Sequence, residues 1–276
     1  RWFPVVNYGI NRFTSTINVT VPAHFTVVGS GKESVGTAPP PKAKSAIASA
    51  GATKTFTFTS EKPSFPGTII AGQFNNSKFN EGGIDIEVYF KPVHQALAAQ
   101  YATTAMKEYT YFTTMYGPFS SPVLRVVEIP DDTVPSAWAP QVAAIASRAV
   151  TEKINYRLLA NTISHQWWGV SVSPDSKDDW WLNDGFARYS EAMYVENAAG
   201  PAGMQEAIKD MSVGALAYDA VPLSTVGKLD MFSPEFQSLT TDKGAMILHM
   251  LRWVEGDAKF YQTLRQFATQ YAGKSA

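Results

Sequence analysis

The chain has 276 residues, 45% of them hydrophobic and 13% aromatic, enough for one large or two ordinary domains with a sizeable core. Its formal net charge of −1 argues against a nucleic-acid surface or a strongly anionic partner. It has no cysteine, which excludes disulfides and thiolate metal sites, and no apolar run long enough to make a transmembrane helix. The chain opens at RWFPVV, without a basic-then-apolar leader. A mature, clipped or truncated chain reads the same way, so the compartment stays open. Two sequons, Asn18-Val19-Thr20 and Asn75-Asn76-Ser77, are too common to weigh.

The first ninety or so residues read as β-structure. TSTINVTV (Thr14 to Val21) alternates Ile17, Val19 and Val21 with polar residues, and KTFTFTS (Lys54 to Ser60) alternates Phe56 and Phe58 with threonines. GTIIAGQF and IDIEVYF predict further strands. Between them GTAPPPKAKSAIASAGAT (Gly36 to Thr53) predicts a long surface loop or loose hairpin. After Pro92 the pattern changes. VHQALAAQYATTAMKEYTYFTTMYG predicts a helix stopped at Gly117-Pro118, and VLRVVEI (Val123 to Ile129) an apolar strand. From about Ser147 the chain reads as mostly helical: one helix over SRAVTEKINYRLLANTISHQWWG, then a loop VSVSPDSKDD, then helices over WLNDGFARYSEAMYVEN, about Ala202 to Tyr218, Lys243 to Val254 and Ala258 to Tyr271. The expected fold is α+β in two domains: an antiparallel β domain over residues 1–90 and a mainly α-helical domain over residues 91–276, with no internal repeats.

One stretch carries chemistry by what it lacks. Single-zinc peptidases use H-E-x-x-H on a helix, where the four-residue spacing puts two imidazoles on one face and the Glu serves as general base for the metal-bound water. In LLANTISHQWWG (Leu158 to Gly169) the second histidine is present as His165. Asn161 stands four residues before it and Thr162 follows Asn161. Nineteen residues after His165 comes Asp184, inside WWLNDGFARY.

These segments, NTISHQWWG, WLNDGFA and TDKGAMILHMLR, occur in the order and spacing of H-E-x-x-H-Q-W-W-G, W-L-N-E-G-F-A and Y-x-K-G-A. The chain therefore resembles the M1 family of zinc aminopeptidases, and RWFP…TSTINVTVPAHFTVVGSG is similar to later strands of that family's saddle-like N-terminal β domain. The resemblance covers most of the chain. It implies a thermolysin-like domain over residues 91–276, in a fragment or a pared-down relative, since the family's members carry more strands before and a helical domain after. It implies Zn2+ as the candidate metal and a cleft that takes a peptide or protein.

Position by position, the family's functional residues arrive changed. The first zinc ligand falls on Asn161, and a carboxamide is a poor zinc ligand beside imidazole. The general base falls on Thr162, which cannot take a proton from water near neutral pH. The second ligand is kept as His165. The third falls on Asp184, which from an unchanged helix reaches about an ångström less than the family's Glu. The transition-state tyrosine falls on Thr241, whose hydroxyl has a short stem. The region corresponding to the family's G-x-M-E-N is PSAWAPQ (Pro135 to Gln141), which holds no acid, although Asp131 and Asp132 are close by.

The expectation is thus an M1 homologue with a degenerate site, no bound cofactor and no catalysis. The alternative is a divergent but active zinc aminopeptidase using His165, Asp184 and an unrecognised third ligand. A different hydrolase is a third reading: Ser164 adjoins His165, but adjacent helix residues point apart and no Gly-x-Ser-x-Gly is present. The other histidines, His24, His94 and His249, have no ligand spacing to His165. Asp184 is expected to accept hydrogen bonds from Asn161 or Thr162. Glu191 reads equally as a relic of the site or an exposed acid. Trp167, Trp168, Trp180 and Trp181 read as an aromatic platform for a peptide or, more simply, as packing. The small Gly244-Ala245 step invites close approach of a neighbouring helix. If strands are missing, an exposed sheet edge invites pairing with another chain, as in a dimer.

Overall fold

The computed structural model describes residues 11–37, 52–65, 67–119, 121–132, 134–218 and 221–276. Most of the loop expected over Gly36 to Thr53, and the opening RWFPVVNYGI, lie outside the described residues. The fold is α+β, antiparallel strands first and helices later, and it divides into two compact units.

One unit comprises residues 12–102 and 123–154. It begins with β1 (Phe13–Pro22), β2 (Thr26–Gly29), β3 (Lys32–Thr37), β4 (Thr53–Ser64) and β5 (Ile69–Gly72). These form two antiparallel sheets, β1-β4-β3 and β2-β5. The alternation seen in the sequence is real: Phe56 and Phe58 of β4 are buried with Val27, and Val19, Val21 and Ile69 pack against them. The threonines of the same strands face outward, where the Thr20 and Thr55 hydroxyls lie 2.8 Å apart and Thr57 Oγ1 donates to Asn18 Oδ1 at 2.7 Å.

The chain continues through β6 (Asn75–Glu81), β7 (Ile84–Phe90), the helix α1 (Ala98–Tyr116), β8 (Val123–Ile129), β9 (Ser136–Ala139) and β10 (Val142–Ala146). Their sheet has the order β6-β7-β8-β10-β9. Its central strands β7, β8 and β10 run parallel, while β6 and β9 are antiparallel to their neighbours. The central strands are buried, so they read as continuous apolar runs rather than alternations. β7 ends at Phe90 and shares its sheet with β8 and β10, so the contacts of this unit run past the change in composition at residue 90. Inside it, Arg125 donates to Glu87 Oε2 at 3.1 Å and to the Gly29 carbonyl at 3.1 Å. Glu128, fully buried, accepts from the Lys91 amide at 2.9 Å and contacts His94 Nδ1 at 3.0 Å.

The other unit comprises residues 103–122 and 155–276. Its further elements are α2 (Tyr156–Ser164), β11 (Val172–Ser173), α3 (Trp181–Ala217), α4 (Pro234–Gln237), α5 (Gly244–Glu255), α6 (Asp257–Gln270) and β12 (Lys274–Ser275). α3 breaks at Gly200, whose φ of 72° suits glycine, and Pro201 opens the next segment. These are the two helices expected on either side of that point.

The single helix expected over Ser147 to Gly169 is corrected. Only Tyr156–Ser164 is α-helical. Asn155 starts it, its side chain accepting from the Leu158 amide at 3.1 Å. Upstream, VAAIA is strand β10, and β9 also goes unseen in the sequence. A short apolar run has no period that separates a buried strand from a buried helix.

Candidate functional site

His165 stands just past the end of α2, where the chain turns back toward Gly169. Gln166 N–H bonds to the Ile163 carbonyl at 3.0 Å and Trp167 N–H to Ser164 at 2.9 Å, so the helix tightens into turns at this point. The imidazole is buried. Its Nδ1 lies 3.0 Å from the Trp168 carbonyl and 2.9 Å from Asn183 Oδ1. Two oxygen acceptors place the proton on Nδ1, so the neutral ring carries its lone pair on Nε2. Burial lowers the pKa to about 4, with the two hydrogen bonds opposing, so the ring is neutral at pH 7. Asn183, immediately before Asp184, is the partner that sequence reasoning missed.

Asp184, in the first turn of α3, is only half-buried, yet desolvation raises its carboxyl pKa to about 7 against hydrogen bonds from Thr240 and Trp180. The expected partners Asn161 and Thr162 are not the ones it has. Thr162 Oγ1 donates instead to the Leu158 carbonyl of its own helix at 2.7 Å, the ordinary resting place of a helical threonine. Thr240 Oγ1 reaches Asp184 Oδ2 at 3.3 Å and the Phe236 carbonyl at 2.9 Å. Its single proton has two acceptors to choose between, and the Phe236 carbonyl is the nearer.

Thr240 adjoins Thr241, the position picked from the sequence. Both lie in a π-helical turn, Ser238–Lys243, whose extra residue per turn shifts the face presented. Counting at helical period cannot tell 240 from 241. The turn is held close to α3 by two glycines: a Cβ on Gly185 would stand 2.9 Å from both Gly244 Cα and the Thr240 carbonyl. The close approach expected at Gly244 is therefore made against Gly185.

Glu191 is buried and is the hub of an ion-pair chain, neither an exposed acid nor a bystander. It accepts from Arg157 Nε at 3.0 Å and Arg188 Nη1 at 2.5 Å, while Arg157 also reaches Asp210 at 3.1 Å and Arg188 reaches Asp242 at 3.1 Å. The chain ties α2, both parts of α3 and the π turn together. Trp167 and Trp168 are packing residues: both are buried, donating to the Gly117 carbonyl at 2.9 Å and to Ser190 Oγ at 3.1 Å. Trp180 packs partly buried beside Val226, Phe236 and Leu239, and the Trp181 ring lies 5.7 Å from that of Phe186. His249 is engaged with Tyr189 at 3.2 Å.

In the other unit, Pro135 to Gln141 spans β9 and its tight connection to β10. Gln141 adopts a φ of 65° there, and its side chain accepts from the Gly31 amide at 2.6 Å.

Among the described residues no three His, Cys, Asp or Glu side chains converge to hold a metal ion. One imidazole and one carboxyl group fall short of the three protein ligands of a catalytic zinc site, so the donor set does not fit zinc.

Comparison with known proteins finds relatives of one kind. Residues 141–276 match the model of the peptidase family M1 domain. Human endoplasmic reticulum aminopeptidase 2 is 24% identical over 229 residues, covering 75% of this chain and 23% of that protein. Rat aminopeptidase N is 33% identical over 123 residues, 41% of this chain and 12% of that protein. An M1 zinc metallopeptidase from Deinococcus radiodurans has the same fold, with a TM-score of 0.78 at 21% identity, covering 100% of this chain and 60% of that one. The chain thus spans about a quarter or less of the length of these curated relatives.

Proposed function

From the premise that residues 141–276 belong to peptidase family M1, we propose that the chain is a non-catalytic member, a pseudopeptidase that binds a peptide or protein without cleaving it. The observation that carries this is the state of Thr162. It occupies the position of the general base, and its hydroxyl is spent on the Leu158 carbonyl. With it go the shortage of metal donors and the loss of a tyrosine at Thr241. Thr162, His165 and Asp184 each have hydrogen-bond partners within the protein, which is how a buried site remains stable without an ion. The peptide ligand follows by analogy: a mutant of the Deinococcus radiodurans M1 zinc metallopeptidase is described as bound to a Tyr-Ser-Ala substrate, and a two-domain M1 zinc metallopeptidase mutant as bound to L-arginine.

The second reading, a divergent active aminopeptidase, has one observation in its favour. The Trp168 carbonyl and Asn183 hold His165 by Nδ1, as metal-binding histidines are commonly held. An assay on an amino-acid anilide separates the two. We expect no hydrolysis above background with or without added zinc. Turnover that a chelator abolishes and zinc restores would establish the second reading.

A further inference from the structure

We draw no further inference here: the strongest candidate, the exposed apolar stripe of Met250, Trp253 and Val254 along one face of α5, carries nothing because nothing in the structure shows what covers it.

Discussion

Glu108 on α1 is fully buried, and neither carboxylate oxygen has a hydrogen-bond partner. Burial alone pushes its pKa well above the ordinary value of 4.5. Below that value folded and unfolded states both hold the proton, and the group is neutral to stability. As pH rises through it, the unfolded chain ionises while the folded one does not, so stability falls. Glu108→Met removes this dependence. We expect the variant to exceed the parent by about 1–3 kcal/mol at pH 7, and by less near pH 4.5, in denaturant titrations at both values. An equal difference at the two pH values contradicts the assignment. At Glu191 the sign reverses. Removing the hub takes from Arg157 and Arg188 the buried carboxylate they share and leaves each only its outer partner, Asp210 or Asp242, so Glu191→Ala costs about 3 kcal/mol, whereas Asp210→Ala, at a half-exposed end of the chain of ion pairs, costs under about 1 kcal/mol. Comparable losses in chemical denaturation would show that Glu191 is not the hub.

At the scale of elements, Gly185 and Gly244 decide how closely the π turn approaches α3. Gly185→Ala drives a methyl against backbone that cannot step aside, and we expect a loss of about 1–3 kcal/mol in thermal or chemical unfolding. An unchanged stability contradicts the close contact. Much of this architecture was legible in the sequence. The Thr/Phe alternation of β4, the Gly117-Pro118 stop of α1 and the Gly200-Pro201 break in α3 are local signals, and they mark real boundaries. What was not legible is nonlocal. β9 and β10 are strands because a sheet is there to receive them, not because of a period. The helix expected over 147–169 shrank to nine residues because Asn155 caps it late and tight turns end it at His165. At the candidate site, the motif spacing singled out His165 and Asp184, but their partners Asn183 and Thr240 depend on ring orientation and on a π turn, which no spacing encodes.

As a whole, the molecule has the fold of an M1 zinc metallopeptidase, and we propose that its site is held by hydrogen bonds and ion pairs. Where a metal holds a site, its binding energy is folding energy. On the proposed reading the hydrogen bonds of His165 and Asp184 and the Glu191 ion pairs stand in that place, so a chelator should leave the melting temperature unchanged, and added zinc should not raise it. A rise with zinc that a chelator reverses argues against that view.

The most direct test is zinc per chain, by elemental mass spectrometry on protein purified without chelator and dialysed against micromolar zinc. The account predicts a value near zero. A value near one, lost in Asp184→Ala, would mean that His165 and Asp184 have found a third ligand and that the site is a working metal centre.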